Sequence, residues 1–435
     1  MVQDPEQTGS RPPAPAGRIP PSPLARQDET ATRRFPSEDR GRRLQYRGAF
    51  ERDRDRIVHS RAFRRLSGKT QLLPGLETIQ VRNRLTHTIE VATAARVLAR
   101  HLGLNEDLAE VIALAHDLGQ PPFGVAGSRA LDRFLTAGLG RSAPKGGAIA
   151  GPEGFHPRAQ SLVVVDRVEV RYGHPGLNLT DDARDGILKL RGDQAAVPGG
   201  VDPKGLAPGE PASLEAQVVR AAIDAVTPLH DLEDALSEGL LELAPVLRLP
   251  AVRPLVERLE KAGGWPRGRF RERAALHRAL VHAVLTDILV ASRRRLAAAE
   301  AAGAARPVPG RAVVAPGARG AALTEAVREL VAARVVGAPA VRRADARGEQ
   351  VVLALLSSYY RDPRLLDDAV LLRYKEVADR PFLRDLPPAR QDAEIADHYH
   401  GRRAFARVLA DHVAGMTDRF AQDAHGALVP GRSSR

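Results

Sequence analysis

From about Tyr46 onward, apolar side chains recur three and four positions apart and almost nowhere alternate with period two. The first spacing puts an apolar stripe along a helix, whereas a half-buried strand needs strict alternation. The pattern therefore predicts an all-α protein. Residues 54–66 place apolar residues at helix spacing with basic residues between them. Further helices are expected over 84–102, 105–118, 159–170, 181–190, 213–241 and 271–302, and helix periodicity returns over about 321–428. Asn105 and Ser213 are good N-caps, with acids in the turns that follow, and Gly119-Gln120-Pro121-Pro122 stops the helix before it.

Composition narrows the classes further. A chain of 435 residues can bury a large core. Aromatics make up only 4%, so its helices must pack through Ala, Leu and Val. With no cysteine, disulfides and zinc–thiolate sites are excluded and a reducing cytoplasm is the expected location. No uninterrupted apolar run approaches the ~18 residues of a membrane span, and the Pro-rich start lacks the apolar stretch of a signal peptide. The net charge of +12 comes mainly from dispersed Arg, a field that favours an anionic ligand. Nucleic acid is not expected as the primary partner, because no module of the usual kind is present.

Along the chain, residues 1–42 are Pro, Gly, Arg and acid with little apolar pattern and are expected to be a disordered tail. Residues 43–250 form a helical domain with Gly/Pro-rich surface loops at about 137–154 and 192–211. Residues 251–435 are a helical C-terminal region that completes the fold, with a linker or long loop at 303–320. No internal repeat is visible.

Two short segments carry chemistry. His87 lies in Arg84-Leu85-Thr86-His87, and His116-Asp117 lies in Ala115-His116-Asp117-Leu118-Gly119. Imidazole nitrogens and a carboxylate on neighbouring helices suit a divalent cation held near phosphate oxygens. Arg84, three residues before His87, shares its face and could grip a phosphate. Alone, a His-Asp dipeptide means little, and a single helix histidine is usually a satisfied structural residue.

The surrounding text makes them more than that. The segments His59-Ser60-Arg61-Ala62-Phe63-Arg64-Arg65-Leu66 with Lys69-Thr70-Gln71, Asn83-Arg84-Leu85-Thr86-His87, Pro121-Pro122-Phe123-Gly124 after His116-Asp117, Gly176-Leu177-Asn178-Leu179-Thr180, Ser213-Leu214-Glu215-Ala216-Gln217-Val218 and Ala414-Gly415-Met416-Thr417-Asp418-Arg419-Phe420 occur in order. Together they resemble the dGTP triphosphohydrolase-like proteins of the HD superfamily over most of the chain beyond residue 50. The resemblance implies an HD-type helical core with a helical C-terminal extension. It also implies hydrolysis of a deoxynucleoside triphosphate to a deoxynucleoside and triphosphate, with a divalent metal (Mn or Mg) held by His87, His116, Asp117 and a later Asp. Arg64, Lys69, Arg84 and Asp231 fall at positions expected to bind the substrate. A homo-oligomer, or a mixed oligomer with an intact paralogue, is implied as well.

The chain departs from that pattern at the working positions. Where the family has a His after Leu-Gly, this chain has Gln120; where it has the catalytic His after Pro-Pro-Phe-Gly, it has Val125. The acid three residues on is Ser128, and a further His position is Pro157, with His156 one place early. The fourth metal ligand falls on Ile223 and a substrate-packing Tyr on Thr227. Asp224 stands beside Ile223 as a possible substitute, but one helix position turns a side chain by about 100°. Gln cannot titrate near neutral pH, and Val can neither donate nor accept. Losing a general acid and its orienting partner costs at least ~10²-fold in rate. Three readings stay open: an impaired family member that retains nucleotide binding and weak or no metal; a working triphosphohydrolase with a rearranged site; and a helical scaffold or partner subunit without pocket function.

Overall fold

The computed structural model describes residues 19–36, 46–72, 81–139, 151, 153–266, 268–304, 306–308 and 310–428. Among them there is no strand; pairing of extended backbone is limited to three isolated bridges, one of which joins Thr70 to Asn83. The helices used below are α1 (Ala49–Val58), α2 (Arg84–His101), α3 (Glu106–Ala115), α4 (Gly124–Ala137), α5 (Pro157–Val163), α6 (Asp181–Lys189), α7 (Leu214–Ser237), α8 (Arg269–Ala301), α9 (Ala318–Val331), α10 (Pro339–Arg361), α11 (Arg403–Ala414) and α12 (Asp418–Leu428).

Side-chain caps set most of the starts. Asn83 accepts from Thr86 N at 3.0 Å, Asn105 from Leu108 N at 3.0 Å, and Ser213 from Ala216 N at 3.2 Å. Each pairs a helix-start N–H that has no partner inside the helix. The helix expected over 54–66 is broken at His59-Ser60, where Ser60 leaves helical geometry and caps a second short helix through Phe63 N. The one expected over 159–170 is α5 followed by a π-helical turn, Val164–Val168.

Two apolar cores organise the helices. In the first, α1, α2, α3, α7, α8 and α9 pack around residues such as Leu98, Leu108, Ile112, Val218, Ile288 and Val327. Alanines at 92, 95, 109 and 113 sit among them and let α2 and α3 lie close together. α8 is long and apolar enough, by length and composition, to cross a membrane. Leu276, Leu280, Val284 and Ile288 from that helix are nevertheless buried in this core. The second core joins α4, α10 and α11 through Phe134, Tyr360, Tyr374, Tyr399 and Phe405. Its rings meet at 4.5–6.4 Å between centroids, mostly tilted or edge-on, as aromatic quadrupoles prefer.

The N-terminal expectation is corrected for residues 19–36, which pack against the body. Arg33 donates to Asn178 O at 2.6 Å, to Ala49 O at 2.8 Å and to the buried Asp53 carboxylate. Ser22 N reaches Gly103 O at 2.8 Å, and Arg26 N reaches Glu215 Oε1 at 2.9 Å. This segment is held by guanidinium and main-chain bonds, not by an apolar stripe, so a search for periodicity passes over it. The rest of the expected tail, 1–18 and 37–42, lies outside the described residues, as does most of the loop at 137–154. The loop at 192–211 is described and carries no helix; Lys189 ties it down through the carbonyls of Asp193, Ala207 and Glu210 at 2.5–2.9 Å.

Gly119 closes the turn after α3 against α5, and a Cβ there would lie 2.2 Å from Ser161 N and 2.4 Å from Pro157 O. Main chain cannot yield as a flexible side chain can. Gly119→Ala is therefore expected to lower stability by about 1–3 kcal/mol or more in urea unfolding; a change below ~0.5 kcal/mol would remove the close approach from the account.

Candidate functional site

His87 stands one turn into α2, placed by the Asn83 cap. His116 and Asp117 stand on the turn that ends α3. One ligand atom from each of the three lies within 4.8 Å of the others, and all three residues are buried. Sequence reading and geometry thus converge on the same group.

Proton positions follow from the bonding. His116 Nδ1 sits 2.7 Å from Ala113 O, a carbonyl that can only accept, so Nδ1 carries the hydrogen and Nε2 keeps its lone pair. His87 Nδ1 faces His230 Nδ1 at 3.0 Å, and His230 Nε2 faces Glu90 Oε2 at 2.7 Å. Burial favours a neutral Glu90, yet the His230 bond and the Arg82 charge hold its pKa down at about 2. An ionised Glu90 accepts from His230 Nε2–H. His230 Nδ1 is then an acceptor, and His87 Nδ1–H donates to it. His87 is thereby fixed with Nε2 as its lone-pair nitrogen, the arrangement in which an outer carboxylate orients a metal-binding imidazole. Burial, reinforced by the neighbouring Arg84 charge, pushes the His87 pKa down to about 3 against the pull of Asp117, so the ring stays neutral at physiological pH. His230 received no role from the sequence. It lies 143 residues from His87, and only its place beside Asp231 in a recognisable segment could have flagged it.

Asp117 is already answered by the protein. Its Oδ2 accepts from Arg84 Nη1 at 2.8 Å, and its Oδ1 accepts from Gln120 Nε2 at 3.2 Å, with His116 Nε2 at 3.4 Å. Burial would raise its pKa, but the charge and hydrogen bond of Arg84 hold it well below the usual carboxylate range. Arg84, expected to grip substrate, gives its second Nη to Gln71 O at 3.3 Å. Lys69 is buried, and its ammonium donates to the carbonyls of Ala414 at 2.8 Å and of Gln120; desolvation lowers its pKa to about 7. Arg64 is exposed on the surface.

The other expected positions spread around this cluster. Val125 is 66% exposed at the start of α4. Ser128 turns its hydroxyl back to Gly124 O at 3.1 Å. Pro157 opens α5, and His156 caps that helix by accepting from Arg158 N at 3.2 Å. On α7, residues 223 and 230 are seven apart and share a stripe; Ile223 is 5% exposed where the resemblance implies a ligand. Ile223 itself and the neighbouring stripe, Asp224, Thr227 and Asp231, line an open cavity of about 300 Å³ whose other walls include Arg158, Arg328, Val331 and Val336. His87, His116 and Asp117 are not among its lining residues. Asp224 is exposed, and among the described residues no fourth ligand joins the three.

Asp231 projects a buried Oδ1 without a hydrogen-bond partner, and burial, with Asp234 close by, pushes its pKa up to about 7. Its proton is thus kept in the fold between about 4 and 7, where the unfolded chain has released it. The stability it contributes is complete below the unfolded value and is lost as pH rises through about 7. Asp231→Asn should therefore raise the melting temperature at pH 8 by more than at pH 5. An equal shift at both values would exclude a protonated Asp231.

The geometry agrees with comparisons across known proteins. The profile described as HD domain matches residues 84–226, which contain the cluster, and that of a phosphohydrolase-associated domain matches residues 382–427. The chain is 36% identical over 416 residues to deoxyguanosinetriphosphate triphosphohydrolase-like protein 1 of Deinococcus radiodurans, covering 93% of this chain and 95% of that one. It is 35% identical to the deoxyguanosinetriphosphate triphosphohydrolase-like protein of Cereibacter sphaeroides (90% and 97%) and 36% identical to that of Paracoccus denitrificans (89% and 96%). With helices, buried His-Asp pair and relatives in accord along nearly its whole length, the chain belongs to the deoxyguanosinetriphosphate triphosphohydrolase-like family of HD-domain proteins.

Proposed function

We propose that this protein is a catalytically impaired member of its family that binds deoxynucleoside triphosphates without turning them over efficiently. The observation that supports this reading is Ile223: a buried aliphatic side chain, seven residues before His230 on α7, stands where the resemblance implies a ligand. Val125, in the place of the catalytic imidazole, can neither take nor give a proton.

The donors themselves decide which metal the site could hold. His87 Nε2, His116 Nε2 and Asp117 offer two lone-pair nitrogens and one carboxylate. That set fits weak binding of a nitrogen-tolerant ion such as Mn²⁺, and falls short of what Mg²⁺ demands in oxygen and charge. When bound, such an ion would polarise phosphate oxygens. The residues themselves orient His87 through His230 and Glu90, orient His116 through Ala113 O, and hold Asp117 ionised through Arg84.

For the ligand, the cavity beside Asp231 and the surrounding basic residues support a deoxynucleoside triphosphate, with a homo-oligomer or a mixed oligomer with an intact paralogue as the assembly and the cytoplasm as the location. The rearranged-enzyme reading draws on one observation, the two preserved lone-pair nitrogens, and the same assay separates the two. Metal content and triphosphate release from dGTP with Mn²⁺ or Mg²⁺ are expected to be low, while dGTP at millimolar concentration raises the melting temperature; saturation at 100 times Kd is worth about 2.7 kcal/mol. Robust release abolished by His116→Ala defeats the impaired reading, and no thermal shift defeats nucleotide binding. Restoring the ligand gives an independent check: Ile223→Asp should lower the melting temperature in chelator, because it buries an unpaired charge, and Mn²⁺ should recover it. Failure of Mn²⁺ to do so would show that residue 223 does not face the cluster.

A further inference from the structure

Helix α5 works on two sides. Ser161 faces the HD turn, where its Oγ donates to His116 O at 2.9 Å and accepts from Gly119 N at 3.0 Å. Gln160 faces away: its Nε2 donates to Asp411 Oδ1 at 2.9 Å, and its Oε1 accepts from Arg407. Arg407 in turn lines a cavity of about 260 Å³ together with Arg167, Arg403, Glu153, Leu135 and Val408. Arg373 packs behind it, donating to Val408 O at 2.9 Å while its buried Nε has no hydrogen-bond partner.

Three guanidiniums, Arg167, Arg403 and Arg407, therefore line one partly enclosed space, with Arg373 behind Val408. Asp411 is the buried carboxylate among them, paired with Arg407 at 3.1 Å, and Glu153 is exposed at the mouth. Among the described residues no carboxylate lies within ion-pair distance of Arg167 or Arg373. Arg167 donates at 3.4 Å to Gly199 O, a long bond that a better acceptor would displace. The loop is shaped around it: a Cβ on Gly200 would lie 2.0 Å from Arg167 Nη1. Like charges gathered away from bulk water repel unless an anion sits between them. Planar guanidinium forks match phosphate oxygens in pairs, which a scattered surface charge does not.

We propose that this cavity, on the side of α5 away from the His116-Asp117 pair, binds a polyphosphate anion, either free or carried by a nucleotide. The site is separate from the nucleotide pocket of the preceding reading and does not depend on it.

The test is titration calorimetry of the full chain without divalent metal, at low salt, with sodium tripolyphosphate and in parallel with dGTP. Arg167→Gln should weaken tripolyphosphate binding roughly tenfold or more, as expected for one lost charge-assisted pair. Val377→Glu, which sets a carboxylate at a half-exposed position on the rim, should weaken it at least as much. His116→Ala should leave it within about twofold, and added salt should weaken the parent. Tripolyphosphate and dGTP binding within about threefold of one another would point to the free anion, and dGTP at least tenfold tighter with the same Arg167 dependence to a nucleotide. No binding at millimolar tripolyphosphate, equal affinity in both cavity variants, or loss in His116→Ala would overturn the proposal.

Discussion

Arg84 and Asp117 meet at 2.8 Å with both side chains almost wholly withdrawn from water, and the character of the pocket follows from that contact. An ionised carboxylate in such a place must be answered, and leaving it alone costs about 3–5 kcal/mol. Here the answer comes from within the chain. Arg84 takes one oxygen and Gln120 the other, so the HD turn carries no unanswered negative charge. Glutamine is well suited to this task and unsuited to moving protons. Gln120 thus brings a donor to the carboxylate of the cluster and no titratable group.

The second layer behaves differently. Arg82 reaches Glu90 and Asp234 at 2.8 Å, and Glu233 as well, while Glu90 sets the tautomer of His230 and through it that of His87. Each member satisfies another, so deleting any one of them strands a half-buried charge or donor. Such a network is held by stability, whatever chemistry the cluster performs. Ile223, Thr227 and Val125 take no part in it: Ile223 is buried, Thr227 turns its hydroxyl back to Ile223 O at 2.7 Å, and Val125 is exposed.

That division explains what could be read from the residues and what could not. The caps at Asn83, Asn105 and Ser213 are local, bonding three residues ahead, and the starts of α2, α3 and α7 fall within a residue of expectation, whereas the ends of α3 and α7 come three and four residues early. The His-Asp pair is local too. His230 and Lys69 depend on contacts far along the chain: 143 residues for the first, and 345 for the bond that turns Lys69 toward Ala414 O. A lysine in a basic segment looks free to meet phosphate, and only the fold reveals that two of its donors are already used. Residues 19–36 escaped for a related reason, since apart from Leu24 in the first core their hold on the body is largely polar and leaves no apolar rhythm.

The C-terminal motif shows how distant text becomes part of a site. Asp418 opens α12, and its carboxylate is the point where three segments meet: Oδ2 accepts from Thr70 N at 3.1 Å and Thr70 Oγ1 at 2.5 Å, and Oδ1 accepts from Phe123 N at 2.9 Å. Phe123 lies in the Pro-Pro-Phe-Gly turn with a left-handed φ of 59°, a conformation that an aromatic residue adopts only under constraint. Asp418 supplies one such constraint, and the ring of Phe123 lies against Gly348 of α10, where a Cβ would come within 2.7 Å. Thr70 leads directly into the bridge to Asn83, the cap of the helix that carries His87. The path from Asp418 to His87 therefore runs through one threonine, one bridge and one cap, each a hydrogen-bonded step. A helical extension that seems remote from the HD pair in sequence is, by this path, tied to the start of the helix that carries His87.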